Sequence, residues 1–191
     1  MIQFLSSNIT DQLVKNGIIV SEEKEIYSYG LQQSFTMVIN ILLSLVIGLV
    51  LRMPLESIIF MVAYIPLRSY AGGYHARTQF TCHILSLVII IVALLVIKFI
   101  SWTNAFFVLI LLISGSLICF LSPVPDSNKP LNEKEIKVYR KNVILILGGQ
   151  YVCIFLLALL QQKEGLESIM VSQMALSGML VLGKVKEWRY G

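Results

Sequence analysis

The chain has 191 residues, 57% hydrophobic and 14% charged, with a formal net charge of +4. An average soluble domain is about a quarter charged, so a soluble surface cannot be made from this composition, and a separate soluble domain has almost no room. The basic surplus flanks apolar runs and sits in loops, where it sets membrane topology rather than marking a nucleic-acid partner.

In chain order, residues 1–30 form an amphipathic segment, with Ile2, Phe4, Leu5, Ile9, Leu13 and Val14 at roughly helical spacing among polar neighbours. Asn16-Gly17 breaks it, and Ser21-Glu22-Glu23-Lys24 reads as a helix start with Ser21 as N-cap. No cleavable leader is expected, because the first basic residue is Lys15 and no apolar core with a small-residue cleavage site follows. Ser34–Leu51 is the first clear span. Residues 55–67 make a weaker one, shorter than the ~20 residues of a bilayer crossing unless it continues past Arg68. Ile84–Ile97, Ala105–Leu121, Val143–Leu160 and Ser168–Gly183 complete the set. The expected fold is therefore all-α and polytopic, one membrane-embedded unit over 1–191 with about six transmembrane helices within 34–183. A four-span alternative remains if the two shortest runs are re-entrant. Residues 122–142, with three prolines and eight charges, read as a basic loop.

Six crossings put both termini on one side. That side collects twelve basic residues, from Lys15 and Lys24 through Arg68, Arg77 and the 122–142 loop to Lys184, Lys186 and Arg189. Only Arg52, Lys98 and Lys163 fall opposite. The bias assigns the termini, the 68–83 loop and the basic loop to the cytoplasm.

The 68–83 loop carries the reactive groups: two arginines, Gly72-Gly73, both histidines of the chain and Cys82, the one cysteine outside mid-span. A cysteine thiolate attacks acyl carbon, and a nearby imidazole both accepts the thiol proton and stabilises the thiolate. Gly72-Gly73 lets the backbone turn or approach a peptide closely. A plain loop with an incidental histidine and cysteine has the same composition, and one pair seven residues apart does not separate the two readings. The three cysteines show no disulfide or metal-ligand spacing, and neither a metal nor a cofactor is expected.

The run Arg68-x-x-Ala71-x-Gly73-x-His75-Ala76, with Cys82 six residues on, resembles the accessory gene regulator B (AgrB) family of bacterial membrane cysteine endopeptidases. Overall length, the close-set spans, the amphipathic start and the proline-containing loop 122–130 extend the resemblance over nearly the whole chain. It implies that His75 and Cys82 are the catalytic pair and that Arg68 and Gly73 are needed. The implied substrate is a short precursor peptide (AgrD-like), which is trimmed and closed into a thiolactone or lactone autoinducing peptide for quorum sensing. A homodimer in the bacterial cell membrane is implied as well. Lys129, Lys134, Lys137, Arg140 and Lys141 would by default meet anionic lipid headgroups. An acidic precursor tail is the sharper alternative.

Other residues divide between bland and functional readings. His83 adjoins Cys82, but neighbours on a helix point about 100° apart, so His75 is preferred as base. Arg68 either snorkels to the interface or binds a peptide carbonyl or carboxylate. Arg77 reads as a topology charge and Glu56 as a helix-start carboxylate. Cys119 and Cys153 read as small buried residues, and Gly148, Gly149, Gly178 and Gly183 as close-packing positions. A small peptide transporter without proteolysis is the competing class. It is weakened by the lack of ionisable residues in the long uncharged spans.

Spacing and mechanism also conflict. In one continuous helix, residues 75 and 82 would stand about 10.5 Å apart along the axis, at about 1.5 Å per residue. A general base works within about 3 Å. Either the two residues meet across a dimer or, the preferred reading, the second span ends near Tyr70–Gly73, His75 sits in a turn and Cys82 lies in the first turn of the third span.

Overall fold

A computed structural model describes residues 2–74, 79–124 and 132–190, and the chain is all-helical across them. The helices are α1 (Ile2–Lys15), α2 (Lys24–Val50), α3 (Pro54–Ala71), α4 (Gln79–Phe99), α5 (Asn104–Leu121), α6 (Glu133–Leu159) and α7 (Lys163–Tyr190), with a short 3-10 turn at Ser21–Glu23. Two compact units result, Met1–Ser44 and Leu45–Gly191.

In the first unit, α1 ends at a turn where Gly17 takes a φ of 67°, the left-handed region that glycine tolerates. The helix buries its small hydroxyl residues: Ser6 and Thr10 are inaccessible, whereas Phe4 and Leu5 are exposed. Burial costs these hydroxyls little, because Ser6 donates to the Gln3 carbonyl at 3.0 Å and Thr10 to the Ser6 carbonyl at 2.5 Å. An ion pair of 2.6 Å joins Asp11 to Lys24 across the turn. Ser21 is not the N-cap that its sequence context suggests. It lies inside the 3-10 turn, Val20 takes the preceding position, and no side-chain cap forms. Along α2, Gln32, Thr36 and Ser44 are buried while Met37, Val38, Leu42 and Val46 are exposed. Polar inward and apolar outward is the arrangement suited to lipid, where apolar side chains need no shelter.

Among the described residues, five helices are long and apolar enough to cross a bilayer: the α2 segment from Ser21, then α4, α5, α6 and α7. The weak second span of the sequence, α3, continues past Arg68 to Ala71. It is not in that set, since it carries Glu56 and Arg68, yet it runs the length of the second unit. The Lys98 ammonium at the end of α4 donates to the Leu51 carbonyl just before α3, and Gly72 just after α3 pairs with Val124 just after α5. Helices α3 to α7 thus alternate in direction. At about 1.5 Å per residue an 18-residue helix is about 27 Å long, close to the apolar thickness of a membrane.

The core lies around α7. Two-thirds of its candidate span (67%) is buried against 22% for each of α4, α5 and α6. That position explains its composition: Glu167, Ser168, Ser172, Gln173 and Ser177 face protein rather than lipid. Leu67 and Ala71 of α3, Ile118 of α5, Val143 and Leu147 of α6, and Leu176 and Leu180 of α7 form one buried cluster, closed by Val124.

The expected 122–142 loop is corrected at its second half. Helix α6 begins at Glu133, ten residues before the apolar run. A capping box starts it: Asn132 Oδ1 accepts from the Glu135 N–H at 2.8 Å, and Glu135 Oε2 accepts from the Asn132 N–H at 2.9 Å. The reciprocal pair satisfies two donors that a helix start otherwise leaves open. Charged residues after the cap then continue the helix beyond the apolar boundary.

Candidate functional site

The site is built on the end of α3. Ala71 is the last helical residue, and Gly72 caps it with a φ of 72°, its N–H donating to the Arg68 carbonyl at 3.1 Å. Gly73 follows with a φ of 122°. Both conformations disfavour L side chains, and space forbids them as well. A Cβ on Gly72 would strike the Val124 carbonyl, and one on Gly73 would meet the Arg68 guanidinium and approach the Met179 carbonyl to 3.1 Å. The second span ends at Ala71, within the expected Tyr70–Gly73, residues 72–74 are not helical, and α4 is described from Gln79 onward.

Three elements hold the 72–74 segment. From α3, the Arg68 guanidinium donates to the Gly72 carbonyl, and to the Tyr74 carbonyl at 2.5 Å. From the stretch after α5, the Val124 N–H donates to the Ala71 carbonyl at 2.9 Å. From α7, the Met179 carbonyl accepts the Tyr74 N–H at 2.9 Å, and the Lys186 ammonium lies 5.4 Å from the Tyr74 ring centroid. Arg68 thus supports the fold of the segment itself. Its planar fork is taken up by carbonyls of its own chain, a geometry that arginine matches and a point-charge ammonium does not. Of the backbone donors near the bend, those of Gly72 and Tyr74 are engaged. Gly73 N–H has no hydrogen-bond partner among the described residues.

Cys82 lies in the first turn of α4, half-buried and unbridged. Its carbonyl accepts the Ser86 hydroxyl at 3.0 Å. The positive end of a helix favours an anion there. The Tyr64 phenol, one turn before Arg68 on the same face of α3, lies within electrostatic reach of both the Arg68 guanidinium and the Cys82 thiol. Its ring stacks on Phe60 with centroids 5.3 Å apart. Cys119 is half-buried and Cys153 exposed, so only the first of these two resembles the buried reading. His75, and with it the separation of His75 from Cys82, lies outside the described residues, as does Lys129.

Lys134, Lys137, Arg140 and Lys141 are exposed on the first turns of α6 rather than in a loop. Helical spacing gathers Lys134, Lys137 and Lys141 within about 60° of arc, with Arg140 beside them. Tyr139, on the same turns, meets Tyr70 of α3 edge-on, with centroids 5.6 Å apart and an interplanar angle of 89°. The basic turns therefore lie beside the end of α3 that carries the 72–74 segment. Sequence reasoning missed Tyr64 and Met179, and it read Gly183 only as a close-packing position and Lys186 only as a topology charge. Nothing in their local sequence points to the bend, because the contacts span more than a hundred residues of chain for the last three.

The sequence model of the family described as Accessory gene regulator B matches residues 6–182. Over 155 residues the chain is 32% identical to AgrB-like protein 2 of Clostridium perfringens strain 13, covering 77% of this chain and 72% of that protein. It is 26% identical over 185 residues to Protein FsrB of Enterococcus faecalis, covering 93% and 74% respectively. With Accessory gene regulator protein B of Staphylococcus intermedius it shares 23% over 145 residues, covering 76% and 66%. No solved structure matches it.

Proposed function

The chain belongs to the accessory gene regulator B family, and from that membership we propose that it is a membrane cysteine endopeptidase that processes a quorum-sensing precursor peptide. Cys82 is the nucleophile and His75 its base. The Cys82 thiolate attacks a peptide carbonyl of an AgrD-like precursor, and the oxyanion accepts from backbone N–H donors, a role suited to Gly73 N–H, which bonds to none of the described residues. The imidazolium returns its proton to the leaving amine, the C–N bond breaks, and the C-terminal fragment departs. The N-terminal fragment stays on Cys82 as a thioester. An internal thiol of the peptide then displaces Cys82 and closes a thiolactone, and a hydroxyl in that place closes a lactone. Thioester exchange is nearly isoenergetic, so water must be kept from the acyl-enzyme, which a site at the membrane boundary favours.

The observation that carries this reading is the break itself. α3 stops at Ala71 and residues 72–74 are not helical, so no single unbroken helix runs from Arg68 into α4, where Cys82 stands near the start of the described helix. The exposed basic turns of α6 beside the bend support capture of an acidic precursor segment, with anionic lipid as the default company of the same charges. The basic bias of the loops supports a cytoplasmic site and cytoplasmic termini in a bacterial cell membrane, and the family resemblance extends the reading to a homodimer.

Protein in liposomes, incubated with a precursor peptide and followed by mass spectrometry, tests the proposal. The expected products are the C-terminal fragment, a precursor fragment bonded to Cys82, and a ring lighter by the fragment lost. An intact precursor delivered unchanged across the bilayer would instead identify a transporter, and an intact precursor left in place would identify a scaffold.

A further inference from the structure

We propose that Gly183, near the far end of the chain, is a positioning residue for the reaction: its bare Cα lets the Gly73–Tyr74 backbone seat against α7. The inference rests on the endopeptidase reading and assigns a role to a helix that lies outside the reactive motif. A Cβ built on Gly183 would stand 2.8 Å from the Gly73 carbonyl carbon and 2.8 Å from the Tyr74 nitrogen, closer than real Cβ contacts come. Both atoms are backbone and cannot swing aside as a flexible side chain can.

The seat has a second component one helical turn earlier. The Met179 carbonyl receives the Tyr74 N–H at 2.9 Å. In a regular helix that carbonyl faces the N–H of residue 183, so Tyr74 reaches it only if nothing projects from position 183. Gly183 is buried, whereas Gly178 of the same helix is exposed, and a Cβ there would meet nothing within 4 Å. Lys186, whose ammonium covers the Tyr74 ring, adds a side-chain contact to the same seat. A short non-helical segment is thereby docked on a helix through one glycine, one carbonyl and one ammonium. The segment so held carries the Gly73 N–H, which bonds to none of the described residues, and leads in sequence directly into His75.

The test uses the full chain in liposomes, with Gly183→Ala, Gly178→Ala as the matched control, and Lys186→Met. Cleavage kinetics are read together with amide hydrogen exchange of the peptide containing Tyr74. A catalytic group misplaced by about 1 Å loses roughly a hundredfold in rate. Gly183→Ala should therefore lower kcat by about that factor with KM within about twofold, and should speed exchange at Tyr74. Gly178→Ala should match the wild type in both readouts. Lys186→Met leaves the backbone seat intact, so it keeps the test open should Gly183→Ala fail to fold. It should lower kcat by about two- to fivefold, the range of an exposed cation–π contact, and speed Tyr74 exchange. Unchanged Tyr74 exchange in either variant, or faster exchange with unchanged kcat, would overturn the positioning role while cleavage by the wild type still upheld the endopeptidase. A wild type that cleaves nothing would overturn both.

Discussion

Gln173 of α7 donates its side-chain amide to the Gln150 oxygen of α6 at 2.9 Å, and Gln150 donates in turn to the Ala63 carbonyl of α3 at 2.8 Å. Three helices are joined by one buried polar chain, in a region where apolar contacts alone barely distinguish one packing from another. A lone carboxamide in the apolar interior would be unfavourable, so each glutamine needs the other. Gln173→Leu should destabilise the bundle by about 1 kcal/mol, the scale of an interhelical hydrogen bond in a membrane protein. Adding Gln150→Leu should cost less than a second independent loss, because the orphaned partner disappears. Reversible unfolding of the purified protein, read as a double-mutant cycle, measures both. Strict additivity would show that the two side chains do not act as a pair.

Replacing Cys82 with Ala should abolish precursor cleavage, while Cys119→Ala and Cys153→Ala should retain most of it. The three thiols differ in place: Cys82 opens α4, whereas Cys119 and Cys153 sit within α5 and α6. Loss of the precursor band over time is the measurement. Full activity in Cys82→Ala would remove the nucleophile from the mechanism.

Arg68→Lys should behave almost as badly as Arg68→Gln. One ammonium cannot replace a fork that serves the carbonyls of both Gly72 and Tyr74. Because the guanidinium holds its own chain, both variants should lower kcat and leave precursor affinity nearly intact. A KM that rises in proportion, with kcat preserved, would return Arg68 to substrate binding.

Neutralising Lys134, Lys137, Arg140 and Lys141 to Gln should weaken precursor capture and flatten its dependence on salt. The Debye length shrinks from about 10 Å at 0.1 M to about 3 Å at 1 M, which suppresses exposed charge pairing. Apparent affinity against ionic strength, compared with the wild type, reads the effect. Parallel curves of equal affinity would leave these charges to lipid.

Asn132→Ala separates helix from charge on the same surface. It removes one half of the capping box, and loss of such a cap typically costs about 1 kcal/mol. The first turns of α6 should fray, and the basic face should lose its spacing. Capture should then weaken although no charge has changed, with faster amide exchange over residues 133–141. Unaltered capture would show that the charges act as a cloud and not as a face.

Composition and periodicity suffice for the membrane class and the helical fold, and the spacing of His75 and Cys82 places the end of the second span. Each follows from short-range physics: long apolar runs need lipid, and Gly72-Gly73 cannot continue a helix at the φ values they take. The reactive cluster is equally local, with Arg68, Gly72, Gly73, His75 and Cys82 inside a single loop of sequence. Helix ends were less legible. Lys24–Ser34 and Glu133–Asn142 are charged or polar yet helical, because capping and tertiary support carry a helix past the apolar boundary that hydropathy detects. What tertiary structure alone decided is how the bend is held. Nothing near Gly183 or Met179 in sequence marks them as its seat, and nothing near Arg68 says that its partners are carbonyls of its own chain. Such contacts arise only when α3, α5 and α7 converge at one end of the bundle, and that convergence follows from how α3, α5, α6 and α7 share one buried core.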